Sequence, residues 1–209
     1  MIEPPGVQHH RGPRPRTQAA ARRARPRQPL PPQAPVILLF VADWARNGQL
    51  AARSGEDHAA TEYLESTLVA VADAALAAQN AVVAASALGL GACFLGSLRN
   101  ETDFMAEEFA LPPGAVIVFG VALGWPDPAE RAGVKPRLPQ RVVRHRERYT
   151  DAAPEDIEAY DRALAEYYRA YGRSHSWISA AIGRVRDIAG LHGREGMRAA
   201  FARRGLPSR

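Results

Sequence analysis

Asp73–Asn100 reads DAALAAQNAVVAASALGLGACFLGSLRN, and its two halves obey different rules. The first half is rich in alanine, and it continues a pattern that starts near Ala59. Leu64, Leu68, Val71, Leu76, Val82 and Val83 spread around most of the helical wheel. A helix apolar on most of its faces is buried, so a long central helix is expected from about Ala59 to Leu88. Gly89 and Gly91 then stop it. The second half, CFLGSLRN (Cys93–Asn100), reads as a short strand followed by a turn.

Upstream, VILLFVAD (Val36–Asp43) is a β-branched and aromatic run of strand length. The polar stretch 45–57 is a loop or a short helix. Downstream, Asn100 or Thr102 is placed to cap a helix over 103–110, which carries acids in its first turns. Pro112-Pro113-Gly114 is a turn. AVIVFGVALGW (Ala115–Trp125) is apolar enough for a strand buried on both faces. The basic stretch Val134–Tyr149 is kept extended by its prolines. Pro154 opens a helix reaching about Ala170, and further helices are expected near 179–188 and 195–204. There is no internal repeat.

The chain has 209 residues, 46% of them hydrophobic and 23% charged, which suits a globular body with a real core. A single cysteine, Cys93, excludes a disulfide framework and any CxxC metal site. It is read as a core thiol between apolar neighbours. No apolar run reaches the ~18 residues of a membrane helix, and no secretory signal pattern opens the chain. A cytoplasmic location follows as the default.

The net charge of +5 is unevenly placed: residues 1–35 carry seven arginines against one acid, Glu3, and the rest of the chain is close to neutral. That body is a poor candidate for binding nucleic acid. Nine of the 17 prolines also fall within 1–35, so this stretch is expected to be a disordered tail. An upstream start codon or a disrupted reading frame produces such a break in composition; so does a basic arm. The division expected is a tail over 1–35, a domain over 36–190 and a C-terminal helical extension over 191–209.

Several motifs can be set aside. Gly89–Gly96 lacks GxGxxG spacing and follows a helix where the dinucleotide fingerprint needs a strand. No P-loop and no GxSxG elbow occurs. His9 and His10 read as a solvated pair, and no metal site is expected. Two segments carry more information. A strand end delivers Gly96 and Ser97, whose small side chains let a flat ligand approach backbone amides. Those amides suit a ring edge that gains negative charge. In Lys135-Pro136-Arg137, two cations two residues apart on an extended segment point the same way and suit a phosphate or an anionic ring edge. Taken alone, such segments are more often a turn and a pair of surface charges.

Taken together and in this order, the segments resemble the nitroreductase superfamily, in particular its oxygen-insensitive NADPH nitroreductase and NADPH–flavin oxidoreductase branch. The resemblance rests on Ala34–Arg46, Asp73–Asn100, Val116–Pro126, Lys135–Pro139, Val142–Tyr149, Tyr160–Tyr168 and Ser176-Trp177, and covers roughly residues 34–190. It implies an α+β fold with a mostly antiparallel central sheet flanked by helices, the long helix buried at its centre and the N-terminus truncated. It further implies a homodimer that binds FMN, with NADPH or NADH as hydride donor and nitroaromatics, quinones or free flavin as acceptors in ping-pong turnover. Phe94, Leu95, Gly96 and Ser97 are then expected to line the flavin ring, with serine at Ser97 where the family usually has a second glycine. Lys135 and Arg137 are expected at the flavin or its phosphate, and Arg173 at the NADPH phosphate. No residue serves as a covalent catalyst. The family's HRSxR-like FMN-phosphate motif has no match in residues 1–35. The alternatives are a truncated, catalytically impaired member of the family and a binder of acidic partners through the Arg-rich arm.

Overall fold

The computed structural model describes residues 34–129 and 133–209. The expected tail over 1–35, apart from Ala34 and Pro35, lies outside the described residues, as do His9 and His10. The chain divides into two compact units. The first runs up to Asp127 and takes in Gly196–Arg209; the second is Pro128–Glu195.

The first unit is built on three strands. β1 (Val36–Asp43) and β2 (Gly91–Leu95) flank β3 (Ala115–Gly124), and both pair with it antiparallel. The apolar run of β3 earns its central position, since its residues from Ala115 to Val118 are all buried. The register slips once. Phe40 pairs with Phe119, but Val41 pairs with Ile117, so Val118 is an extra residue opposite β1. A bulge of this kind resets the alternation of faces. Accordingly Val116, Val118 and Phe119 all reach one cluster, with Ala42, Ala70, Ala74, Phe201 and Leu206. Ile117 and Ala122 reach the opposite cluster, with Leu95, Leu98 and Met105.

Among the described residues, four helices complete this unit. α1 (Ala45–Ser54) follows β1 directly; Asp43 Oδ1 accepts the Ala45 N–H at 2.8 Å, and Gly55 ends the helix at φ 70°. After a 3-10 turn over Ala59–Glu62 comes α2 (Leu64–Ala87). It lies on the sheet, but burial is confined to one stripe of small residues: Thr67, Ala70, Ala74, Ala78 and Ala85. The expectation of burial on most faces is corrected here. Leu68 is 55% and Leu76 68% exposed, because the sheet covers only one side of the helix. The expectation about membrane-length segments is corrected too. By length and mean hydropathy (1.7 over its best window), α2 is apolar enough to cross a membrane; scattered polar residues such as Asp73 and Gln79 hide this from a search for unbroken runs.

α3 (Thr102–Glu108) grows straight out of a 3-10 turn over Gly96–Glu101. The expected side-chain cap is absent: Glu101 sits at the N-cap, and Thr102 instead donates its hydroxyl to the Arg99 carbonyl at 3.1 Å. α7 (Met197–Arg203) closes the unit. Gly114, at φ 84°, donates its N–H to Arg204 O at 2.6 Å, and Arg203 pairs with Asp103 at 2.6 Å. Cys93 is exposed, not a core thiol, because β2 is an edge strand whose Ala92, Cys93 and Phe94 are all open to solvent.

The second unit is helical. It contains the short α4 (Gln140–Val143), α5 (Pro154–Arg169), α6 (Trp177–Val185) and a 3-10 turn over Ile188–Leu191. Pro154 opens α5 with Glu155 and Asp156 in its first turn, as the sequence predicts. Arg141 ties α4 to Asp156 through two hydrogen bonds. The pair raises the Arg141 pKa and lowers that of Asp156, chiefly through those bonds.

Candidate active site

The candidate site residues fall into two groups, one in each unit. In the first, β2 ends at Leu95 and the chain tightens at once into the Gly96–Glu101 turn. The first N–H groups of such a turn have no acceptor within it, and Gly96 and Ser97 stand there. A Cβ built on Gly96 meets nothing closer than the Arg99 guanidinium at 3.5 Å. The Ser97 hydroxyl is buried and has no hydrogen-bond partner. Such an orphan costs on the order of 1–3 kcal/mol, and one χ1 rotation re-aims it. Phe94 is half-exposed and packs edge-on against Phe119 at 5.5 Å between ring centroids. Leu95 is fully buried in the core, so it offers a ligand only its backbone.

Arg99 fixes this turn to the sheet. Its guanidinium donates to the Val118 carbonyl, at the bulge of β3. A bulge interrupts the ladder and frees a backbone group that needs another partner. A single arginine thus joins the bulge to the Gly96–Ser97 turn. Sequence reading passes over Arg99, because its partner is set by a register slip that no local pattern encodes.

In the second unit the residues around Lys135 are held by three tyrosines at the end of α5. Tyr171 accepts the Gly133 N–H at 2.6 Å, Tyr167 donates to the Gly133 carbonyl at 3.3 Å, and Tyr168 accepts from Lys135 Nζ at 2.8 Å. Partial burial and the neighbouring Tyr171 raise the Tyr167 pKa. Lys135 and Arg137 do not converge on one point. Arg137 Nη1 turns back to the Lys135 carbonyl at 3.2 Å, while the Lys135 ammonium reaches Tyr168. The expectation that both point the same way is corrected. The segment has no strand pairing to impose the alternation of an extended strand.

The structure does bring together Lys135 and Arg173, which the sequence leaves 38 positions apart. The Arg173 guanidinium stands 5.3 Å from the centre of the Tyr168 ring, within cation–π range, and the His175 ring lies 4.4 Å from it. A cleft of about 280 Å³ opens beside them, lined by Ala165, Arg169, Gly172, Arg173, Ser174 and His175. Two arginines in a small cleft suit a phosphate. The cue in the sequence is the cluster of tyrosines at 167, 168 and 171, at and just beyond the C-terminal end of α5. Among the described residues, no group of three or more His, Cys, Asp or Glu could hold a metal ion.

A small antiparallel sheet with an alanine-striped helix laid across it, and a glycine–serine turn at a strand end, is an α+β arrangement with close counterparts among solved structures. Nitroreductase A from Vibrio parahaemolyticus superposes with a TM-score of 0.81 at 28% identity, over 92% of this chain and 76% of that one. An NADPH:FMN oxidoreductase from Vibrio harveyi, solved with NAD+, gives a TM-score of 0.79 at 28% identity, over 92% and 76%. Residues 6–125 match the nitroreductase family, and residues 135–209 match the C-terminal domain of that family. The chain belongs to the nitroreductase family.

Among curated relatives, the FMN reductase (NADPH) of Bacillus subtilis is 41% identical over 139 residues, 64% of this chain and 54% of its own length. The oxygen-insensitive NADPH nitroreductase of Salmonella typhimurium is 36% identical over 148 residues, 69% of this chain and 59% of its own length. The chain thus spans a little over half the length of the curated relatives it matches.

Proposed function

We infer that this chain is an FMN-dependent NAD(P)H oxidoreductase, working in the cytoplasm as a homodimer and reducing small acceptors such as nitroaromatics, quinones or free flavin. The family membership and the names of the relatives support the reaction class. The observation that carries the reading to particular residues is the buried, unpartnered Ser97 hydroxyl beside Gly96 at the end of β2. A polar ring edge laid against that turn is what such a group lacks, so the residues present fit the flavin.

When bound, FMN would supply the redox-active ring on which hydride chemistry takes place. The chain's own task is binding and electrostatics. The Gly96 and Ser97 N–H groups, in the turn that Arg99 ties to the sheet, would hold the polar edge of the ring and stabilise negative charge there. Phe94 offers an apolar wall, and Leu95 its backbone. Lys135 and Arg137 supply positive charge toward the ring edge or the phosphate. Arg173, in its cleft with Arg169, takes a phosphate of the nicotinamide donor. No side chain needs to act as a nucleophile. The outward apolar face of α2 supports the homodimer, since exposed patches of this kind mark association surfaces.

The test is a visible absorption spectrum of the purified full-length chain, taken after FMN is added and the sample is desalted. Retained flavin bands that bleach on adding NADPH are the expected result. A colourless protein overturns the reading. Lys135→Ala with Arg137→Ala tests the assignment of residues: flavin retention is expected to fall, and unchanged binding and reduction rule out these two cations.

A further inference from the structure

Tyr168 touches two of the cations that the proposed function uses in the second unit, Lys135 and Arg173, and only Lys135 reaches its hydroxyl. Its hydroxyl accepts the Lys135 ammonium at 2.8 Å. Its ring lies under the Arg173 guanidinium, 5.3 Å from the centroid. The Lys135 nitrogen is also 5.0 Å from that same centroid, within cation–π range, so the ring as well as the hydroxyl supports Lys135. The ring is itself held. Tyr167 stands edge-on to it at 5.4 Å with an interplanar angle of 83°, and His175 lies tilted against it at 4.4 Å.

Lys135 and Arg173 are both exposed. A long exposed cation samples many rotamers, and ordering it on binding a ligand costs entropy. An aromatic platform that already holds the cation lowers that cost. We propose that Tyr168 is a positioning residue that presets Lys135 through its hydroxyl and Arg173 through its ring, linking flavin binding to selection of the phosphorylated nicotinamide donor. This rests on the reading above, and it assigns Tyr168 no contact with either ligand.

The two contacts can be removed separately. Tyr168→Phe deletes the hydroxyl and keeps the ring; Tyr168→Leu deletes both. The full-length chain is titrated with FMN, followed by quenching of flavin fluorescence, and by calorimetry with adenosine 2′,5′-bisphosphate and with adenosine 5′-monophosphate. Tyr168→Phe is expected to raise the Kd for FMN about three- to tenfold, the usual net cost of losing one hydrogen bond. It leaves the preference for the bisphosphate unchanged. Tyr168→Leu also lowers that preference, by about two- to fivefold, as expected for an exposed cation–π contact. In an Arg173→Ala background Tyr168→Leu lowers it no further, which a general loosening of the helix does not reproduce. Circular dichroism confirms that the variants keep their helix content.

If Tyr168→Leu keeps the unmutated preference, or if Tyr168→Phe alters it as much as Tyr168→Leu does, the proposal is wrong. An unmutated chain with no preference for the bisphosphate overturns the proposal through Arg173. An unmutated chain that prefers the bisphosphate but retains no flavin overturns the proposed function instead, and the nucleotide titration still decides whether Tyr168 positions Arg173.

Discussion

The Asp161 carboxylate on α5 accepts the backbone N–H of Ile178, in the first turn of α6, at 3.0 Å. Ser176 joins the pair: its hydroxyl donates to Asp161 at 3.2 Å and accepts the Ser179 N–H at 3.2 Å as the helix cap. The start of α6 is thus anchored on a single carboxylate. The bond from Ile178 is the main reason that the Asp161 pKa lies below the ordinary carboxylate value. A group whose folded pKa is depressed stabilises the fold above its unfolded pKa of about 3.9. That contribution disappears as the pH falls through the lower folded value. Asp161→Asn is therefore expected to lower stability near neutral pH and to weaken the loss of stability toward pH 3. Acid titrations of the variant and the unmutated chain, followed by circular dichroism, check this; matching curves remove Asp161 from the account.

Gly190 leaves no room for a side chain. A Cβ there meets the carbonyl oxygens of Gly183 and Arg184 at 2.5 and 2.6 Å. Both are backbone atoms of α6, and Arg184 also donates its guanidinium to Gly190 O at 3.0 Å. Gly190→Ala forces the 3-10 turn away from the helix and is expected to cost about 1–3 kcal/mol. Urea unfolding measures it, and a midpoint equal to that of the unmutated chain contradicts the packing described.

Leu206 is fully buried against the sheet and α2, three residues from the end of the chain. Its truncation in Leu206→Ala is expected to cost about 2–5 kcal/mol. Leu50→Ala, at a position 62% exposed on α1, is expected to stay within about 0.5 kcal/mol. Equal urea midpoints for the two variants would show that the C-terminal segment does not hold the first unit together.

The outward face of α2 provides a test of assembly. Leu68 and Leu76 are two turns apart and both more than half exposed. Leu68→Glu with Leu76→Glu places two charges in the patch proposed to be covered by a second copy. Sedimentation is expected to give a dimer for the unmutated chain and a monomer for the variant. A monomer in both cases rules out this face as the dimer contact.

The arginine at the bulge yields a prediction for the site. Arg99→Leu leaves the Val118 carbonyl without its donor and frees the Gly96–Ser97 turn from the sheet. Flavin retention is expected to fall about tenfold, with helix content unchanged by circular dichroism. Unaltered retention shows that the turn holds its shape without Arg99.

Much of this was legible in the residues. The runs Val36–Asp43 and Ala115–Gly124 are strands because unbroken β-branched and aromatic stretches favour them. Pro154 followed by two acids opens α5 by a local rule. The long helix was legible in position and less so in burial, because periodicity reports which side chains are apolar and not how many neighbours reach them. Cys93 illustrates the same gap: apolar neighbours in sequence imply a core, and an edge strand exposes it.

The main elements, the family and the segments proposed for the flavin can be read from the residues alone, since strand runs, helix starts and motif order are local properties of the chain. The partners that those segments hold follow from tertiary packing and not from local pattern. The extra residue at Val118, the arginine that satisfies its carbonyl and the tyrosine that joins Lys135 to Arg173 each depend on distant parts of the chain arriving in one register. Register is a property of pairs of elements, set when whole faces pack together.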